Sequence, residues 1–169
     1  MQLKYATIEL QLAEALPEMQ PAAQNYWKRE GEQGKDAGPY IFFESILGYY
    51  VGVLLAMRAS PGRSKLLQRA FGFADEMLGS SDLEVQNLAY IGLYEGRPGW
   101  WLRQAAEFIG VRGDAVLDEF YPEWRKLAKS QESVSGEFID LHGVRRVIAN
   151  ELEGEGVSLV EIPASTHVE

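Results

Sequence analysis

Apolar residues recur at intervals of three and four along most of the chain, a period that predicts amphipathic helices rather than strands. Leu3, Ala6, Leu10, Ala13 and Leu16 approximate one helical face over 3–16, and Pro17 ends it. Met19, Ala22, Ala23, Tyr26 and Trp27 outline a second helix within 18–30 that begins near Pro21. The charged, Gly-containing stretch 31–39 has no period and reads as a surface loop. The most hydrophobic part follows at 40–58, where Phe42, Phe43, Ile46, Leu47, Tyr50, Val51, Leu54 and Leu55 form a wide stripe. Gly48 and Gly52 sit inside it, four apart; each costs a helix about 1 kcal/mol relative to alanine. Close approach of a neighbouring helix would offset that.

Ser60 and Pro61 suit an N-cap and first helical position, opening a helix over 64–77. Residues 71–95 then spell a helical hairpin. Ser81, with Glu84 three residues on, fits a capping box, and Gly79 fits a left-handed close of the preceding arm. The second arm is apolar on two sides, through Val85, Leu88, Ala89 and Leu93 and through Leu83, Tyr90, Ile91 and Tyr94. Such a helix needs neighbours on both. Beyond Gly96 the pattern predicts a short helix over 100–109, one capped by Asp114 and bent or divided at Pro122, and a last one over 135–150. Trp100 and Trp101 are adjacent, so one is expected in the core and one at a rim. The fold expected is all-α, stacked antiparallel helix pairs with about seven or eight helices in a single domain, 1–150. Residues 151–169 read as an acidic tail with a short extended piece at 157–162.

Composition narrows the function more than the fold. The 169 residues are 46% hydrophobic and 24% charged, as in one globular domain. The apolar run 40–57 is interrupted by Glu44 and Ser45, so a buried helix is expected there and not a membrane span. The first residues lack the pattern of a secretory signal, which points to the cytoplasm. With no cysteine, disulfides and thiolate chemistry are excluded. His142 and His167 do not suggest a metal pair. A formal net charge of −9 argues against nucleic acid as a direct ligand and for a basic partner.

The turn and second arm, Asp82-Leu83-Glu84-Val85-Gln86-Asn87-Leu88-Ala89, resemble the HEAT-type repeat pattern, and Arg112-Gly113-Asp114-Ala115-Val116-Leu117 echoes it. No clean repeat period accompanies them, so the likeness implies stacked antiparallel helices and not a regular solenoid. Phe73-Ala74-Asp75-Glu76-Met77, leading into Val85-Gln86-Asn87-Leu88 and Tyr94-Glu95-Gly96, is similar to small acidic, all-helical immunity proteins of bacterial polymorphic toxin systems. That resemblance implies tight binding to a cognate toxin, without catalysis.

Charge is unevenly placed. Between Ala70 and Gly96 lie Asp75, Glu76, Asp82, Glu84 and Glu95 with no basic residue, whereas Arg58, Arg63, Lys65 and Arg69 are grouped just before. The plain reading is a solvated face, with ion pairs between the two ends of the hairpin. The functional reading is an acidic surface with aromatic anchors that meets a basic toxin site, carried by Asp75, Glu76, Asp82, Asn87, Tyr90, Tyr94 and Glu95. Glu151, Glu153, Glu155 and Glu161 form a second acidic run, and Asp118, Glu119 and Glu123 a third. No Gly-x-Ser-x-Gly elbow, Glu-x-x-His motif or phosphate-cradling glycine loop occurs, so no catalytic, cofactor or metal residue is expected. A carboxylate metal site at Asp75, Glu76 and Glu107 is the enzyme alternative; a helical scaffold or adaptor joining two proteins is the other.

Overall fold

A computed structural model of the chain describes residues 2–34, 38–134, 138, 140 and 142–163. Among them there is no strand, and ten α-helical segments follow in order: α1 (Ile8–Ala15), α2 (Gln20–Glu32), α3 (Gly38–Phe43), α4 (Tyr49–Ala56), α5 (Pro61–Leu78), α6 (Leu83–Ala89), α7 (Gly99–Ala105), α8 (Val111–Phe120), α9 (Trp124–Ala128) and α10 (Val144–Glu151). A π-helical turn, Glu44–Gly48, fuses α3 and α4 into one rod, Gly38–Ala56. A second π turn, Tyr90–Tyr94, extends α6. The fold is all-α.

The Gly38–Ala56 rod is the axis of the molecule. α1 and α6 pack on its first half, and α5, α7 and α10 on its second. Its mean hydropathy of 1.4 and its length match a membrane span, yet Phe42, Phe43, Ile46, Leu47, Tyr50, Val51, Leu54 and Leu55 are all buried beneath the surrounding helices. The hydrophobic stripe is wide because the rod has neighbours around most of its circumference. Gly48 meets the backbone of a neighbouring helical turn, as its place in the stripe implied, whereas Gly52 meets a side chain from outside any helix. A Cβ on Gly48 would lie 3.0 Å from the Gly92 carbonyl oxygen, and one on Gly52 3.0 Å from the Phe138 ring.

The hairpin of α5 and α6 is present with different chemistry at its turn. Asp82, not Ser81, is the N-cap: its Oδ1 accepts from the Glu84 amide at 3.1 Å, while Oδ2 accepts from the Tyr5 amide at 3.1 Å. Ser81 is not the N-cap, so the expected Ser81 capping box does not form. Gly79 ends α5 at φ −87°, outside the left-handed region. At the other end of α5 the expected cap holds, the Ser60 hydroxyl oxygen accepting from the Arg63 amide.

Other departures are tertiary in origin. Trp100 and Trp101 are both buried, since α7 lies between α4 and α9 and has a neighbour on each side. Pro122 divides α8 from α9, as expected. Of the expected last helix, Val144–Glu151 is helical, and 135–137, 139 and 141 lie outside the described residues. The acidic segment beyond it is docked as far as Ile162: Leu152 and Ile162 are buried, and Glu155 accepts from the Gly62 amide at 2.6 Å at the start of α5. Where an extended piece was expected at 157–162, a 3-10 turn occupies Leu159–Glu161, and another precedes it at Glu153–Glu155.

Candidate functional site

The seven residues expected to form an acidic binding surface separate into two groups. Asp75 caps a neighbour, accepting from the amides of Arg112 at 2.8 Å and Gly113 at 3.3 Å at the start of α8 and from the Arg112 guanidinium at 2.9 Å. A carboxylate at a helix N-terminus satisfies orphan amides and the positive end of the dipole together. This replaces Asp114, which lies within the first turn, as the residue that caps α8. Asp82 is likewise consumed by its own helix and by Tyr5. Tyr94 is wholly buried against Phe71 and Gly113, so it is not part of any surface. Burial, and after it Asp75, pushes its phenol well up from the ordinary value, and it stays neutral.

The remaining four face outward. Glu76, Asn87 and Glu95 are exposed, and Tyr90 is half-buried with its ring 5.1 Å from that of Phe120. Leu83, Asn87 and Ile91 fall at i, i+4 and i+8 along one helical line, with Leu83 70% and Ile91 43% exposed. Phe120, on α8, is 59% exposed. Glu76, Glu84 and Glu95 make no ion pair among the described residues. Leu83, Ile91 and Phe120 were missed as surface residues because helical spacing alone assigned them to the core.

The basic group preceding the hairpin is not its electrostatic counterpart. Arg63 is buried and donates from Nε to the Leu54 carbonyl at 2.6 Å and from Nη2 to the Leu55 carbonyl at 3.3 Å, closing α4. Burial pulls its guanidinium down from the ordinary value, with Glu107 opposing. Arg69 pairs with the buried Glu18 at 2.9 Å. Of the third acidic group, Asp118 binds Arg125, as Asp114 also does, and Glu123 pairs with Lys126 at 3.3 Å, while Glu119 is exposed and makes no ion pair among the described residues. No group of three or more His, Asp or Glu is arranged to hold a metal ion among the described residues.

A second feature lies where the two π turns meet. A π turn leaves helical carbonyls without regular partners, and Arg97 supplies them. Its Nε donates to the Leu93 carbonyl at 2.7 Å and its Nη2 to the Gly92 carbonyl at 2.8 Å, while its guanidinium lies 5.6 Å from the centre of the Trp101 ring. Burial draws Arg97 down from its ordinary value, and Glu44 opposes that shift. A cavity of about 510 Å³ opens beside it, walled by Tyr49, Trp100, Trp101 and Phe138. Only the Gly48 and Gly52 spacing hinted at this place in the sequence.

The matching family model is a domain of unknown function, DUF7674, over residues 10–111. The chain belongs to this family. The DUF7674 region runs from α1 to the first residue of α8, so it contains the whole exposed line of Leu83, Asn87 and Ile91 and every wall of the Arg97 cavity except Phe138. Phe120, α9 and α10 lie beyond it. No curated protein and no solved structure matches the chain.

Proposed function

We propose that this protein is a cytoplasmic binding protein that neutralises a cognate bacterial toxin, using the outer face of α6 and its π extension as the contact surface. The observation that carries this reading is a combination: Leu83 and Ile91 exposed in one line, the Tyr90 ring in tilted contact with that of Phe120, and Glu84 and Glu95, like Glu76 on α5, making no ion pair among the described residues. Exposed apolar side chains within a charged surround are the usual composition of a protein-binding patch. Carboxylates that lack local partners are free to steer a basic partner over distances of about a Debye length, roughly 8–10 Å in ordinary salt. The net charge of −9 adds to that steering.

Complementarity is the mechanism. The partner's basic surface neutralises the three glutamates, the apolar line and the Tyr90 and Phe120 rings are desolvated, and the partner's active site is covered or distorted. Asp75, Asp82 and Tyr94 contribute by holding the hairpin and α8 in place and not by contact.

The test is co-expression with the product of the adjacent gene, with growth rescue as the readout, followed by binding measurements on the purified pair. Leu83→Asp with Ile91→Asp is expected to weaken binding at least about tenfold. Gln at positions 76, 84 and 95 together should slow association, more at low salt than at high. Association indifferent to ionic strength and to both sets of changes refutes the reading. Capture of unrelated housekeeping proteins without rescue favours a helical adaptor instead.

A further inference from the structure

Each end of the outer α6 face carries the same small arrangement, a pair of aromatic rings beside one glutamate. At the start of the helix the Tyr5 amide donates to Asp82, and the Tyr5 ring lies 6.2 Å from that of Tyr40, on α3, which packs against α6. At the far end the Glu95 amide donates to the Tyr90 carbonyl at 2.9 Å, and the Tyr90 ring lies 5.1 Å from that of Phe120. Glu84 accompanies the first pair and Glu95 the second, and both glutamates are exposed. Burial first, and then the Glu84 charge, holds the Tyr5 and Tyr40 phenols above their ordinary value; burial and then Glu95 do the same to Tyr90.

Neither arrangement is completed from within. Glu84 and Glu95 make no ion pair among the described residues, and the guanidinium–ring contacts found there, Arg97 on Trp101 and Arg125 on Trp124, involve none of these four rings. Tyr5, Tyr40 and Tyr90 are half-buried and Phe120 is largely exposed, so each pair keeps surface open to solvent. A partly exposed ring beside a carboxylate suits a guanidinium, which lays its plane on the ring and turns its fork of N–H donors to the carboxylate. An ammonium has no plane to stack and presents one compact charge. Glu84 and Glu95 are eleven residues apart, about three helical turns, which sets them on one side of the helix and roughly 15 Å from each other along it. Leu83 and Ile91 are the exposed apolar residues of that stretch.

We infer that the protein partner of this face is anchored by two arginines roughly 15 Å apart, one on the Tyr5 and Tyr40 rings against Glu84, the other on the Tyr90 and Phe120 rings against Glu95. Apolar side chains of the same partner segment cover Leu83 and Ile91 between them. The inference rests on the α6 face being the contact surface and adds the chemistry by which that surface selects its partner. A second copy of the chain is disfavoured as the occupant, because it brings the same carboxylates and its own net charge of −9 to the face.

The test titrates the whole chain with an alanine-rich helical peptide that carries two arginines three turns apart and leucines between them on the same side. Three control peptides replace both arginines by lysine, replace both by glutamate, or move them to adjacent turns. Isothermal titration calorimetry gives affinity, and backbone amide shifts of ¹⁵N-labelled protein give location. The arginine peptide is expected to bind and to shift the amides of α6. The lysine and adjacent-turn peptides should bind at least about threefold more weakly and the glutamate peptide not at all. Glu84→Gln and Glu95→Gln should each weaken binding about three- to tenfold, and Tyr40→Leu and Tyr90→Leu about threefold, with the far-ultraviolet circular dichroism of the wild type retained. No binding of the arginine peptide at millimolar concentration overturns the inference, as does equal binding of the lysine peptide or affinity unchanged in both glutamate variants. Self-association of the chain that Leu83→Asp abolishes assigns the face to a second copy and overturns it too. Rescue by this protein against the adjacent gene's product, lost in Leu83→Asp with Ile91→Asp, leaves the toxin-binding reading standing even when the arginine peptide fails. Arginine-peptide binding without rescue upholds the two-arginine surface and removes the toxin.

Discussion

Tyr50 donates its hydroxyl to Glu18 across 3.0 Å in the interior, and the second oxygen of Glu18 meets Arg69 at 2.9 Å. The pair ties the axial rod to the turn after α1 and, through Arg69, to α5. Burial and the adjacent carboxylate push the Tyr50 phenol up, so it remains a donor across the stable pH range. Removing the hydroxyl in Tyr50→Phe leaves Glu18 with Arg69 alone and should destabilise by about 1–2 kcal/mol. Glu18→Ala removes the acceptor of both; about 2–4 kcal/mol is expected, moderated because Arg69 is partly exposed and regains water. Urea denaturation monitored by circular dichroism checks both. A Glu18→Ala change within about 0.5 kcal/mol of wild type would show that the triad adds little.

Two adjacent residues at the hairpin turn are distinguishable by their bonds. Asp82 accepts from the Glu84 and Tyr5 amides, whereas Ser81 is exposed and takes no part in the cap. Asp82→Ala should therefore cost about 1–2 kcal/mol and Ser81→Ala less than about 0.5 kcal/mol. The reverse order in a thermal melt would restore the capping box that local sequence suggests.

Two glycines should respond oppositely to alanine. A Cβ at Gly99 would run into the Leu127 carbonyl oxygen, a backbone atom that cannot rotate away, where α7 packs on α9. Gly72 is exposed in the middle of α5 with nothing within 4 Å of the same position. Gly99→Ala is expected to destabilise by about 2 kcal/mol or more, while Gly72→Ala stabilises by about 0.5–1 kcal/mol through helix propensity. Equal effects of one sign would contradict the packing of α7.

His142 is buried, with its Nδ1 3.3 Å from Arg29 Nη1 and its ring 4.9 Å from that of Tyr26. Burial first, then Arg29, lowers its pKa from 6.5 to about 4, with Asp140 opposing. Because the folded value is the lower one, the unfolded chain takes up the proton first as pH falls. Stability from the neutral ring is complete above pH 6.5 and is lost on acidification toward pH 4. Tm measured from pH 7 downward should fall more steeply in the wild type than in His142→Gln, which has no proton to gain. Parallel curves would mean that the ring is equally protonated in both states.

The candidate surface shows where local reasoning stops. Glu76, Asn87 and Glu95 were readable as exposed because nothing apolar shares their positions. Asp75 and Asp82 were equally polar in sequence, yet their partners, Arg112 and Tyr5, are 37 and 77 residues away. A carboxylate that caps a distant helix carries no local mark. Leu83 and Tyr94 were interchangeable apolar residues on one helix; only the placement of α8 and the core puts Tyr94 at zero exposure and Leu83 in solvent.

The sequence by itself determined that the chain is helical, where the breaks at Pro17, Ser60, the turn at 79–82 and Pro122 fall, and that 40–58 would be the most buried stretch. Those follow from hydrophobic period, proline geometry and capping chemistry, which act within a few residues. Tertiary structure alone decided which buried polar groups pair, which arginines close helices, that both Trp100 and Trp101 lie inside, and that two π turns meet at Gly48 and Gly92 beside a cavity. Each of these depends on side chains from distant segments arriving at one place, and the order of residues along a helix carries no measure of that distance.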